Sequence, residues 1–346
     1  RALGCEVVWL EGISPRLPAD ELRTWVAALT CYLKHYGLEA PLALCSRTEE
    51  PLPQVLLNGC LDLAAAAEAD LLLNLRYRLR PEVVSRFRRS ALLDIDPGLL
   101  QVWISARHLS VARHDVYFTT GETVGRQGAR FPDAGIEWHY APPCVSLEWW
   151  PPHPAAAHAP FTTLSHWFAD EWLTDVDGLY QNDKRSGFRP FLDLPRYTVQ
   201  PLELALCLAA DEEADRQDLE RRGWRVRDAW QVAATPRDYQ AYIRESRGEF
   251  SCAKPSCMRL ENAWVSDRTL CYLASGKPAV VQHTGASRFL PDSAGMFRFR
   301  DVPEAVRHLE AVAADYDHQC RLARGLAEEY FDARQVVRRV LERALA

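Results

Sequence analysis

Apolar and polar positions fall into alternating blocks along the first part of the chain. Short apolar runs that read as buried strands are separated by segments whose apolar residues recur at helical spacing. GCEVVWL (residues 4–10) reads as a strand. ADELRTWVAALTCYLKHYG then puts Leu22, Trp25, Val26, Leu29, Leu33 and Tyr36 on one helical face, with Asp20 placed to cap its start and Gly37 its end. APLALCS is a second strand, and LDLAAAAEADLLLNL is a helix followed by a strand ending near Leu75. RPEVVSRFRRS is a helix, ALLDIDPG a strand and turn, and HDVYFTTGETVG a strand leading into a glycine-containing loop. Strands separated by helices indicate a parallel, doubly wound sheet.

Residues 142–160 break the pattern with a proline-rich connection, PPCVSLEWWPPHPAAAHAP, and FTTLSHW and DVDGLYQNDKRSGFRPFLDLP follow without clear periodicity. The alternation resumes at PLELALCLA, so the boundary is expected between Arg189 and Tyr197, with one unit at residues 1–192 and a second at 193–346. The second unit reads as strand PLELALCLA, a charged helix, strand WRVRDAWQVA, helix PRDYQAYIRESRG, strand EFSCAK, a helix opening at Ser266, and strand PAVVQ. In its helical tail Val336, Val337, Val340 and Leu341 form an apolar stripe that needs a partner surface, and the first unit is the expected one. The fold class is therefore α/β, with two Rossmann-like halves.

A length of 346 residues suits two such units. The net charge of −6 argues against a general nucleic-acid binder, and the lack of a long apolar stretch argues against a membrane span. The ten cysteines include no Cys-x-x-Cys pair, and the ten histidines show no ligand spacing, so reduced thiols, a cytoplasmic setting and no metal are expected.

The chemistry concentrates in WVSDRTLCYLASGKPAVVQHTG (residues 264–285). Ser266 is the expected N-cap, because Val265 and Leu270 then form a hydrophobic staple. Asp267, Arg268 and Thr269 follow with free backbone N–H groups, a start suited to receiving a phosphate. The same features also describe an ordinary capped helix, and Gly276-Lys277-Pro278 is a helix stop rather than a phosphate loop.

Together with ESRGEFSCAK before it and LARGLAEEYFDARQVV after it, this stretch resembles the donor-binding half of GT-B glycosyltransferases, nearest to bacterial family-4-like members. The resemblance covers residues 245–345. It implies two Rossmann-like domains facing across a cleft. It also implies a UDP- or GDP-type nucleotide sugar as substrate rather than a cofactor, and transfer without a metal to an unidentified acceptor. By the same resemblance, Asp267, Arg268 and Thr269 with the cap Ser266 receive the donor diphosphate. Arg247 and Lys254 supply basic groups, and Thr284 and Gly285 follow in the loop after the next strand. The family's ribose-binding glutamates are replaced here by Cys271 and Ala263.

In the first half, two acidic loops follow strand ends: LLDIDPG with Asp94 and Asp96, and YFTTGETVG with Glu122. Asp96 and Glu122 are the candidate proton acceptors for an inverting reaction; a retaining one relies on stabilising the leaving phosphate. Gly121, Gly125 and Gly128 do not form a dinucleotide fingerprint, and no nucleophile elbow or zinc helix occurs. Six tryptophans between Trp103 and Trp172 serve either as stacking platforms or as core. Two alternatives remain open: a nucleotide-sugar epimerase on the same scaffold, and a non-catalytic nucleotide-binding protein.

Overall fold

The computed structural model describes residues 1–38, 40–175 and 178–346. The first half holds six short strands: β1 (Trp9–Ile13), β2 (Leu42–Ser46), β3 (Leu72–Asn74), β4 (Ser90–Asp94), β5 (Val116–Thr119) and β6 (Trp138–Tyr140). β1 and β2 pair in parallel as a separate ribbon, and β3-β4-β5-β6 form a parallel four-stranded sheet in sequence order. β1 begins later than the run 4–10 suggested, because Gly4 lies in a turn and the buried residues are Gly12 and Ile13. The first helix, Ala19–His35, follows Pro18, so Asp20 lies inside its first turn instead of capping it.

The second half holds β7 (Phe161–His166), the hairpin β8 (Trp172–Asp175) and β9 (Gly178–Gln181), then β10 (Leu202–Cys207), β11 (Arg225–Asp228), β12 (Gly248–Ser251), β13 (Ala279–Gln282), β14 (Ser293–Ala294) and β15 (Met296–Phe299). Seven of these make one sheet in the order β11-β10-β7-β12-β13-β15-β14, parallel except for the β14 edge. Its first strand is β7, in the interior between β10 and β12. The second sheet therefore starts at Phe161, well before the boundary expected near Arg189. FTTLSHW hides its strand character because Thr162 and Thr163 are polar yet buried; Thr162 spends its hydroxyl on the Tyr272 phenol at 2.6 Å.

Both faces of this sheet are covered. One carries an aromatic core in which Phe250 and Phe299 stack with ring centres 5.2 Å apart, alongside Trp167, Phe188 and Trp224. The other packs Leu270, Leu273, Met296, Ala323 and Phe331. The last helix, Ala333–Leu345, crosses back to the first half, where Val340 and Ala344 pack with Ala91, Val116 and Phe118. Arg89 fastens it by donating to the Ala344 carbonyl at 2.8 Å.

Candidate functional site

In the order of their appearance, the seven strands of the second sheet run third, second, first, fourth, fifth, seventh, sixth. That order reverses between β7 and β12, and open α/β sheets collect ligands outside the carboxyl ends at such a switch point. A crevice lies there, lined by Lys184, Ala253, Ser266, Thr269, Thr284 and Arg298 among others. The helix Asp267–Ala274 starts at its rim. Val265 and Leu270 share one buried cluster, as a staple requires. Ser266, however, makes no capping bond; its hydroxyl donates to the Asp267 carboxylate at 3.3 Å. The first-turn N–H groups thus receive no acceptor from the cap residue, and the positive end of the helix faces the crevice.

The basic residues divide differently from the expectation. Arg268 turns into the sheet: Nε donates to Glu249 at 2.9 Å, and the two terminal nitrogens to the Leu164 carbonyl at 2.8 Å and the Ser251 hydroxyl at 2.7 Å. Glu249 is fully buried, so Arg268 serves as its counter-ion. Lys254 is half-exposed and paired with Glu171 at 3.1 Å, while Glu171 also accepts from Asn182 at 2.8 Å. Arg247 precedes β12 and therefore sits at the amino end of the strand, roughly 13 Å from the crevice at about 3.3 Å per residue. Arg298 is held by Asp292 at 2.7 Å and by the Gly285 carbonyl at 2.8 Å.

Thr284 donates to the Trp264 carbonyl at 2.7 Å. Gly285, at φ +127°, lets the chain pass the Glu261 carbonyl, which a Cβ would approach to 2.6 Å. Both residues line up the loop rather than present a side chain. At the ribose positions the Cys271 thiol, pushed up to about 12 by burial and then by Asp267, donates weakly to the Asp267 carbonyl, and Ala263 is buried at φ +54°.

Lys184, inside NDKRSGF, is the crevice cation that periodicity did not reveal. It donates to the Cys252 carbonyl and makes no ion pair among the described residues. Burial, then the neighbouring Arg268, pushes its ammonium down to about 8. Its helix, Lys184–Phe188, lies hard against the loop after β12, because a Cβ on Gly187 would stand 2.1 Å from the Ala253 carbonyl oxygen. The legible signal was the glycine beside a Lys-Arg pair.

The first half meets the loops beside this crevice with its own strand ends. Glu122, after β5, accepts from the Ser287 hydroxyl at 2.6 Å and from the Arg288 backbone and Nε at 2.9 and 2.8 Å. Burial raises the Glu122 carboxyl, but these bonds outweigh it and hold it below its ordinary value. It is a clasp between the halves, with both carboxylate oxygens already accepting hydrogen bonds. Asn262 donates to the Pro97 carbonyl at 2.7 Å and Arg130 pairs with Glu261 at 3.0 Å, closing the same seam. Asp96 is exposed and accepts from the Tyr77 hydroxyl at 2.8 Å. Asp94 is fully buried; burial raises it to about 6 against bonds from Gln101 and Thr119, and its position is structural. Of the six tryptophans, Trp138 and Trp167 are core, whereas Trp149 and Trp172 are exposed, Trp172 on the hairpin that follows the carboxyl end of β7.

Among the described residues no group of three potential metal ligands gathers, and no helix is long and apolar enough to cross a membrane. No family model and no curated protein matches the sequence. The fold is nevertheless shared with solved structures along nearly the whole chain. HepE of Anabaena in complex with UDP-glucose aligns over 98% of each chain at 12% identity and TM-score 0.56. An alpha-glucosyltransferase in complex with UDP-glucose and DNA containing an abasic site aligns over 94% of each chain at 11% identity and TM-score 0.56. The chain therefore has the GT-B fold: two Rossmann-like halves whose carboxyl strand ends face each other.

Proposed function

We propose that the chain is a glycosyltransferase that moves a sugar from a UDP- or GDP-type nucleotide sugar to an acceptor, without a metal. The observation that carries this reading is the uncapped helix start at Ser266, set at the switch point of the second sheet and facing the acidic loops of the first half. The diphosphate would be received by the backbone N–H groups of Asp267, Arg268 and Thr269, with Lys184 as the cation beside it. The fold shared with proteins solved with UDP-glucose supports the choice of donor class.

Because Glu122 is bound on both oxygens by Ser287 and Arg288, it is a poor proton acceptor in this closed arrangement. Catalysis in this reading rests chiefly on stabilising the leaving diphosphate, with Asp96 as the remaining accessible carboxylate. The replacement of both ribose glutamates by Cys271 and Ala263 favours one second reading, a protein that binds nucleotide without turnover. Incubation with UDP- and GDP-sugars separates the two: release of nucleoside diphosphate, increased by a suitable acceptor, supports transfer. Binding with no release of diphosphate from any of these donors contradicts it.

A further inference from the structure

The opposite pole of the second sheet carries a group of cations that the crevice does not use. Arg244 lies in the last turn of the helix Pro236–Glu245, Arg247 just before β12, and Lys277 in the turn before β13. The β12–β13 register pairs Glu249 with Ala279, so Arg247 and Lys277, each two residues before that pair, enter the sheet at the same edge, where both arginines act on Lys277. The proline-rich connection closes over them: the His153 backbone N–H donates to the Ser275 carbonyl at 3.0 Å, and an Arg244 terminal nitrogen to His153 Nδ1 at 3.2 Å.

Lys277 is completely buried and its Nζ has no hydrogen-bond partner. Arg244 Nε, Arg247 Nε and the hydroxyl of fully buried Ser275 are also buried without one. None of the three cations makes an ion pair among the described residues. Burial, with Arg244 and Arg247 beside it, pushes Lys277 down to about 8, and burial with Arg244 and Lys277 pushes His153 below its ordinary value.

The negative end of the helix Asp267–Ala274 does not account for them. Its final carbonyls are already taken: Tyr272 by the Lys277 N–H, Leu273 by the Gly276 N–H, and Ala274 by Arg324 at 2.7 Å. Among the described residues the one acidic group facing Lys277 is the Cys320 thiol, which burial raises and so keeps neutral. A buried, unneutralised ammonium with several unused donors converging on it is costly unless a negative partner arrives. Arg247 is held in place without a carboxylate, its guanidinium lying over the Tyr316 ring at 3.9 Å and one terminal nitrogen donating to the Ala157 carbonyl at 3.4 Å.

We propose that Lys277, Arg244 and Arg247, with Ser275 and His153, form a second anion site, at the amino-terminal edge of the second sheet, that takes a compact tetrahedral oxyanion such as inorganic phosphate. It is separate from the crevice and independent of the sugar-transfer reading. Arg244 and His153 are half-buried and stand on its solvent side, whereas Lys277 is completely buried.

Calorimetric titration of inorganic phosphate into the whole chain, at constant ionic strength, tests this. Lys277→Met should weaken binding about ten- to a hundredfold, as loss of one charge-assisted bond does, and Arg247→Gln and Arg244→Gln should each weaken it as well. Should Lys277→Met fail to fold, the two arginine variants decide. Crystals grown with phosphate should show a tetrahedral ion at Lys277 Nζ. Phosphate binding unchanged in these variants, no binding to the unaltered chain, or only a water at Lys277 Nζ overturns the proposal.

Discussion

The two ends of the second sheet treat their cations differently. At the carboxyl ends Arg268 has Glu249, Arg298 has Asp292 and Lys254 has Glu171. At the amino ends Arg244, Arg247 and Lys277 have no carboxylate partner among the described residues. A basic residue near a crevice is thus no evidence of a ligand until its own partner is known. In the crevice the charges are largely neutralised from within, and the capacity left for a diphosphate is the helix start and Lys184. At the other pole the capacity is in the side chains themselves.

The largest expected effect tests the paired end. Arg268→Ala strands the Glu249 carboxylate inside the sheet and should lower unfolding free energy by about 3–5 kcal/mol, the usual result of breaking a buried pair. Urea denaturation of the unliganded protein measures it; a loss below about 1 kcal/mol would mean the pair is not buried in solution.

The unpaired end should behave in the opposite sense. The folded-state value of Lys277, about 8, lies below its ordinary 10.5, so between these values the unfolded chain binds more protons and stability rises with pH. The penalty is full below pH 8 and vanishes as pH passes 10.5. In buffer without oxyanions, Lys277→Met should therefore be more stable than the parent by roughly 3 kcal/mol at pH 7, since each tenfold loss of proton affinity on folding is worth about 1.4 kcal/mol. That gap should close as pH rises from about 8 to about 10.5. A variant less stable than the parent at pH 7, or a gap that widens with pH, would show that the ammonium is satisfied by the protein. The smallest effect belongs to Ser266→Ala. With no capping bond to lose, it should cost less than about 0.5 kcal/mol, against the roughly 1 kcal/mol of a working cap.

Much of the fold was legible because both faces of the second sheet are covered, so PLELALCLA and PAVVQ read as continuous apolar runs. The stripe at Val336 and Val340 signalled correctly that the last helix needed a partner surface. β7 escaped because its two threonines are buried, and Thr162 spends its hydroxyl on Tyr272, a partner more than a hundred residues away. The boundary moved with it. The helix start at Ser266 could be placed from its staple, but the role of Arg268 could not, since Glu249 becomes its neighbour only when β12 and that helix pack together. Glu249, a carboxylate within an apolar strand, was the available clue. The direction of a strand was another: a residue preceding β12 lies at its amino end, which separates Arg247 from the crevice.

The most direct measurement is a crystal structure of the chain with UDP, and in parallel with GDP, prepared without phosphate. The expected result is a diphosphate within hydrogen-bond distance of the Arg268 and Thr269 backbone N–H groups and of Lys184, with the Arg268 side chain still on Glu249. A nucleotide whose phosphates sit instead at Lys277 and Arg244, or an empty crevice at concentrations that saturate binding in solution, would contradict the assignment of the donor site.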